Sequence, residues 1–398
     1  MGARLGWVAL AALGCTGPRG AAGPDASSTP TTPHPPLSLP ATLATPSEVP
    51  PDALVHHDGR PVADPDDWRL HRRPDLLELF AHHVYGGSAV TADASGNEVV
   101  RTSVDGGTRI ELEGQVEGLT LAIALWVPAG EGPFPVILGL NKCGNASVTL
   151  EPVLDGGGWQ QDDCEGPGSR ASYWDASQAL AAGVGVATLH QSDIHPDDAT
   201  YDDGVRRFAT PDHHDPWGAI GAWAWGLSRA VDLLVEVPEV DAERIVAFGH
   251  SRRGKTALWA AAQDERIGGV WAHQSGTGGA TLSRSYGGES VQAVTLLFPH
   301  WFAPTFATFA ERETHLPVDQ HQLIALAAPR PVLVTDGDDD FWADPDGAAR
   351  SVELAAEVYD FLGADARPEQ QRRPGGHDVR ADDWALAIDW LRDLGWAP

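Results

Sequence analysis

Three groups of residues in this chain are of types and spacings that could do chemistry: a serine between glycines, a histidine after glycines, and a loop crowded with aspartates. The apolar run Arg244-Ile245-Val246-Ala247-Phe248 leads into Gly249-His250-Ser251-Arg252-Arg253-Gly254-Lys255, followed by an alanine-rich stretch through Ala262. A strand that turns sharply into a helix lifts a serine hydroxyl above its sheet, and glycines make room for the tight backbone. The pattern points to Ser251 as a nucleophile for acyl transfer. It departs from Gly-x-Ser-x-Gly by one residue, because Gly254 comes three after Ser251.

A serine nucleophile needs a base and an acid. Pro374-Gly375-Gly376-His377-Asp378 precedes the last amphipathic stretch, which makes His377 the preferred base among sixteen histidines. The adjacent pairs His56-His57, His82-His83 and His213-His214 sit in polar contexts and read as surface. The acid should follow a strand between serine and histidine in chain order, where it would fix the histidine tautomer and stabilise the imidazolium. The loop there reads Asp336-Gly337-Asp338-Asp339-Asp340-Phe341-Trp342-Ala343-Asp344-Pro345. Asp340 is preferred, with Asp339 and Asp338 behind it, while Asp344 before a proline suits a helix cap.

The elements that must position these groups are short apolar runs bounded by turn signals: 121–127, 135–140, 184–189, 244–248, 269–272 and 331–335. Between and after them, 217–235, 347–362 and 382–394 carry apolar residues at helical spacing. Buried strands alternating with helices predict an α/β fold with a mostly parallel central sheet and helices on both faces, the frame of an α/β-hydrolase. Frame alone does not name a function.

The net charge of −29 at pH 7 argues against a nucleic-acid partner, because phosphate binding needs clustered cations. Lysine occurs only at positions 142 and 255, so a lysine inside the serine motif is notable. Arg4, the apolar run 5–13 and Gly14-Cys15 read as a signal peptide (1–15) with a lipoprotein-like cleavage site, too short for a membrane span. Export follows, either to a bacterial envelope through lipid on Cys15 or as a secreted protein. Residues 16–50, rich in Pro, Thr, Ser and Ala, read as a disordered tether, and 51–398 as one catalytic domain, expected as a monomer. Cys143 and Cys164 then remain as an even pair whose bonding the sequence leaves open.

From Gly249 to Lys255 the chain resembles the glucuronoyl esterases, carbohydrate esterase family 15, whose nucleophile motif is G-C-S-R-x-G-K in fungal members, with other residues for Cys in bacterial ones. Further segments resemble bacterial members: Arg72-Arg73-Pro74 through Val84-Tyr85-Gly86, Gly139-Leu140-Asn141, the runs 275–280, 298–302 and 316–321, and Trp342-Ala343-Asp344-Pro345. The likeness covers almost everything from residue 68 onward. It implies an oxyanion hole from the Arg252 N–H and guanidinium, sugar-hydroxyl contacts from Lys255 and Glu289, and a sugar site lined by Trp301. Arg284, close to Glu289 in the chain, is counted with this substrate set, or as its ion-pair partner. The substrates implied are glucuronoxylan or lignin–carbohydrate esters, with no cofactor and no metal. One departure stands out: fungal members carry the catalytic Glu where this chain has Gln274, and a neutral amide cannot stabilise an imidazolium as a carboxylate does.

Other functions are kept beside this one. An acetyl-xylan or cinnamoyl esterase would share fold and triad and differ in the acyl group cleaved. A non-catalytic, polysaccharide-binding lipoprotein would use exposed tryptophans and would not need an intact Ser251, His377 and acid. The stretch Asp193-x-His195-Pro196-Asp197-Asp198 lacks recognised metal-ligand spacing and reads as a polar loop.

Overall fold

A computed structural model describes residues 45–87, 92–155, 164–200, 205 and 216–398. Nine strands form one sheet: β1 (Ser95–Val104), β2 (Gly107–Val116), β3 (Leu119–Pro128), β4 (Phe134–Asn141), β5 (Gly185–His190), β6 (Val240–His250), β7 (Gly269–His273), β8 (Val332–Gly337) and β9 (Pro368–Arg373). Their order is β1-β2-β3-β5-β4-β6-β7-β8-β9. The pairings from β1 to β5 are antiparallel and those from β5 onward are parallel.

The parallel strands are apolar on consecutive residues because both of their faces are covered. Ile245 and Ala247 of β6 join one core cluster, with Val270 and Ala272 of β7 and Val332 and Val334 of β8. Val246 and Phe248, Trp271, and Leu333 point the other way into a second cluster. The helices used below are α1 (Arg73–Phe80), α2 (Ala219–Leu234), α3 (Arg252–Gln263), α4 (Gln320–Ala325), α5 (Pro345–Leu362) and α6 (Ala381–Asp393). Side chains from α2, α3, α4 and α5 fill the first cluster, and Trp384, Ala387, Trp390 and Leu391 of α6 fill the second.

Register decides where the chemistry sits. His250 of β6 pairs with His273 of β7, and His273 with Thr335 of β8. The chain therefore leaves three adjacent strands at one level, placing Ser251, Gln274 and the aspartate loop side by side at the carboxyl edge of the sheet, where open α/β sheets bind ligands.

Ser47, inside the stretch read as tether, is already fixed: its N–H donates to the Thr314 carbonyl at 2.8 Å, and its own carbonyl accepts from Arg284 Nε at 3.0 Å. The signal and cleavage segment, and the tether up to residue 44, lie outside the described residues, as does the pair His213-His214. Of the other paired histidines, His56 and His83 are buried rather than on the surface, and His56 Nε2 lies 3.1 Å from Asp67. Among the described residues no helix is long and apolar enough to cross a membrane.

Candidate active site

Ser251 occupies the turn between β6 and α3 with φ 60° and ψ −128°, a conformation that costs a non-glycine residue about 1–3 kcal/mol. The surroundings hold it there. Its N–H donates to the His273 carbonyl at 2.9 Å, and its own carbonyl accepts from Gly254 N at 2.8 Å and Lys255 N at 3.2 Å. A Cβ on Gly249 would sit 2.0 Å from the Arg253 carbonyl oxygen, and one on Gly254 would sit 2.9 Å from both the Gly249 oxygen and Ser275 Cβ. Both glycines are thus demanded by backbone approach, which accounts for the second being three residues after the serine. Arg252 opens α3, so its N–H has no intrahelical acceptor, and the helix dipole places positive potential at Ser251.

His377 and Asp340 meet across the ends of β8 and β9. His377 Nδ1 lies 2.7 Å from Asp340 Oδ2; with the proton on Nδ1, the opposite ring nitrogen is left as an acceptor. Asp340 is buried, and its Oδ1 accepts from Ala343 N at 3.2 Å. Asp338 and Asp339 point to solvent; their N–H groups donate to the Arg373 and Gly375 carbonyls at 2.8 and 2.9 Å. Asp344 caps α5 through Gly347 N at 3.0 Å. Asp336 is buried at the end of β8, and burial pushes its carboxyl up to about 7 despite a hydrogen bond from Gln370, so it is a poor permanent anion.

Gln274, at the position of the fungal acid, acts through hydrogen bonds. Its Nε2 donates to the Gly376 carbonyl at 2.7 Å, and its Oε1 accepts from His250 Nε2 at 3.0 Å. His273 Nε2 donates to the Asp378 carbonyl at 2.8 Å, so the peptides on both sides of His377 are clamped. The His250 ring packs on His377 with centroids 4.4 Å apart; burial first, then the neighbouring His273, His377 and Arg253, hold His250 well below the usual imidazole range.

Ser251, Arg252 and His377 open on one cavity of about 400 Å³. The Arg252 guanidinium lies 4.1 Å from the Trp301 ring centroid and 5.1 Å from that of Phe298, and Nη1 hydrogen-bonds Asp197. Asp197 Oδ1 also accepts from Trp301 Nε1 at 2.8 Å and His300 Nε2 at 2.9 Å. Burial alone would raise this carboxyl, but the His300 hydrogen bond, the Arg252 charge and the Trp301 hydrogen bond together drive it far below the carboxylate range. Asp197 therefore anchors Arg252. Much of the stretch read as a polar loop is packed inside the protein instead, since Asp193, His195 and the Asp197 side chain are buried, and Asp197 belongs to the site. Trp301, expected as a wall of the sugar site, is only 2% exposed, and its visible contacts support Arg252.

Lys255 and Glu289 form a buried ion pair, with Nζ to Oε1 at 2.6 Å. The remaining ammonium donors reach the Ser275 and Thr277 carbonyls, each at 2.6 Å. Burial lowers the Lys255 pKa and the Glu289 charge pulls it back, so the pair depends on both members. All three protons are used inside the protein, which makes the pair a brace under the elbow in this structure. Lys255→Met is expected to lower stability by about 3–5 kcal/mol because it strands a buried carboxylate, and adding Glu289→Gln should recover most of that loss. Denaturant unfolding of the two variants is the check; a single variant as stable as wild type would show the pair to be solvated.

Arg284 does not line the Ser251 cavity. Its guanidinium donates to Asp319 Oδ2 at 3.0 Å, to the carbonyls of Ser47 and Val318 at 3.0 and 3.1 Å, and to that of Leu316 at 2.6 Å. It lines a different cavity, beside Pro50 and His56, and its ion-pair partner is Asp319 rather than Glu289. The buried charge needs partners, and the Asp319 carboxylate and neighbouring backbone carbonyls supply them.

Cys143 and Cys164 are bonded, with Cα atoms 5.4 Å apart. The bridge ties the end of β4 to the segment leading to Tyr173, so it joins two walls of the cavity below Ser251.

The fungal glucuronyl esterase family model matches residues 171–363. The chain is 34% identical over 380 residues to a carbohydrate esterase from an unknown prokaryotic organism, spanning 85% of this chain and 88% of that one. It is 30% identical to the 4-O-methyl-glucuronoyl methylesterase of Phanerochaete carnosa, over 83% of this chain and 80% of that one. Among solved structures, a promiscuous family 15 carbohydrate esterase from a marine bacterial metagenome superposes with a TM-score of 0.79 at 32% identity, covering 87% of this chain and 97% of that one.

Proposed function

The chain belongs to carbohydrate esterase family 15, the glucuronoyl esterases, and from that membership we propose that it hydrolyses esters of glucuronic or 4-O-methyl-glucuronic acid through an acyl-enzyme on Ser251. The observation that carries the mechanism is the 2.7 Å contact between His377 and Asp340, with Ser251 at a strained elbow opening on the same cavity as His377.

The free nitrogen of His377 takes the Ser251 proton as Oγ bonds to the C6 carbonyl carbon, and the carbonyl π pair moves onto oxygen. Asp340 holds the ring and stabilises the imidazolium. The Arg252 N–H and guanidinium face the oxyanion; one such donor is worth ~3 kcal/mol in the transition state. Collapse breaks the bond to the alcohol, which leaves with the proton from His377. Water then attacks the acyl-enzyme by the same route, returning Ser251 and releasing glucuronate and a proton. In a cell-wall polymer the alcohol would be a lignin hydroxyl and the sugar a branch on xylan.

Export fits this substrate and is supported by the Cys143–Cys164 bond, since disulfides persist in oxidising compartments. Residues 1–15 would direct it, with lipid on Cys15 or simple cleavage, and the residues after them would serve as a tether ahead of the catalytic domain.

The test compares benzyl glucuronate with benzyl acetate, which share an alcohol and differ in the acyl group. kcat/KM is expected to favour the glucuronate by ~100-fold or more, because an acetyl group leaves polar groups of the pocket unpaired. A preference for the acetate would leave an esterase without the uronate specificity, and no turnover of either ester would favour the binding-protein reading.

A further inference from the structure

The cavity below Ser251 carries a charge that the reaction as derived does not use. Arg253, two residues after the nucleophile, is 9% exposed, and among the described residues its guanidinium has no hydrogen-bond or ion-pair partner. An ionised group so deep in a protein is costly unless an opposite charge meets it. The acid on the cavity wall is Asp378, and its carboxylate is already divided between Arg373 at 2.7 Å and Arg380 at 2.8 Å. Asp197, whose charge reaches Arg253, is already shared by Arg252, His300 and Trp301. The net charge of −29 does not cancel the local charge of Arg253, because screening confines such fields to roughly 10 Å.

The cavity is also built rigidly. The Cys143–Cys164 bridge, a hydrogen bond from Arg170 N to the Ser147 carbonyl at 2.7 Å and one from Gly168 N to the Ala146 carbonyl at 3.0 Å join its two walls. Lys255, Glu289 and Trp301 are not on that wall. With the uronate carbonyl at Ser251 and the sugar ring directed away from this wall, the alcohol half of the ester points into this space, which at about 400 Å³ holds an aromatic alcohol.

We propose that the cavity is the alcohol subsite and that Arg253 makes it select alcohols bearing a carboxylate, which the guanidinium grips in two parallel hydrogen bonds. The proposal rests on the glucuronate-ester reading above. It extends that reading from the acid half of the substrate to the leaving group.

The experiment uses two glucuronate esters that differ only in the alcohol: benzyl alcohol and 4-(hydroxymethyl)benzoic acid. Wild type is expected to favour the carboxylated ester in kcat/KM by on the order of tenfold or more, the range of a charge-assisted hydrogen bond. In Arg253→Met the ratio should fall to about one, and Arg253→Lys should restore part of it. Because a buried substitution can disturb folding, a second measurement stays with wild type. Free 4-(hydroxymethyl)benzoate should inhibit hydrolysis of the benzyl ester competitively and at least about tenfold more strongly than benzyl alcohol. Equal turnover of the two esters with equal inhibition by the two alcohols overturns the subsite and leaves the esterase standing. A preference that survives in Arg253→Met also overturns it, and turnover of neither ester overturns both readings together.

Discussion

Ser251→Ala is expected to reduce turnover of benzyl glucuronate on the order of a millionfold, and His377→Ala by a similar amount, with the double variant losing little more than either alone. The non-additivity follows from the roles: without the base the hydroxyl is a weak nucleophile, and without the hydroxyl the base has no proton to take. What survives is the contribution of the Arg252 donors and of substrate binding. The elbow adds a second reading of the same position. At φ 60° and ψ −128° the backbone of Ser251 is strained for any residue with a Cβ, while glycine adopts that region freely. Ser251→Gly should therefore be as inactive as Ser251→Ala but more stable by about 1 kcal/mol, a gap between two dead variants that thermal unfolding measures. If Ser251→Ala keeps a hundredth of wild-type turnover, the nucleophile lies elsewhere and the family mechanism does not transfer to this residue.

The strands that were legible in the sequence are those whose environment writes itself into composition. β4, β5, β6, β7 and β8 are covered on both faces, so each is a run of consecutive apolar residues, and each was expected within a few residues of its bounds. β3 was equally plain, being buried almost throughout. β1 reads SGNEVVRTSV and is exposed along most of its length, and β9 reads PEQQRR, an edge strand whose ladder is made by backbone groups alone. Neither leaves an apolar signature, because a hydrogen-bonded ladder needs no particular side chain.

The same physics divides the site. Ser251 is announced by local constraints, a tight turn that admits only glycine at positions 249 and 254, and His377 by its place before the last helix. Asp197 is different. Its partners His300 and Trp301 lie 103 and 104 residues away, and nothing near Asp197 in the chain distinguishes it from the acids of a solvated loop. Long-range polar contacts also decided Arg284, which looked available beside Glu289 yet is taken up by Asp319 and four carbonyl groups. Motif position identified which residues are near the chemistry; it could not say whether a charged side chain faces substrate or another part of the protein.

Asp340→Asn is expected to lower kcat by about ten-thousandfold while leaving the fold intact, because an amide can present the wrong hydrogen-bonding group to His377 Nδ1 and cannot stabilise the imidazolium. The loop offers its own controls. Asp338 and Asp339 contribute backbone N–H bonds that survive side-chain replacement, so Asp338→Asn and Asp339→Asn should stay within about 0.5 kcal/mol of wild type in both stability and barrier. Asp344→Ala removes a cap from α5 and should cost about 1–2 kcal/mol of stability without a comparable loss of kcat per folded molecule. Gln274→Glu tests the fungal alternative within this scaffold: its carboxylate would face the Gly376 carbonyl, which now accepts from Nε2 at 2.7 Å, so repulsion would loosen the His377 loop. Placed in Asp340→Asn, it should therefore fail to restore turnover. Recovery to within tenfold of wild type would mean that the histidine can be served from β7 as well, and an Asp340→Asn variant that is itself within tenfold would remove Asp340 from the triad.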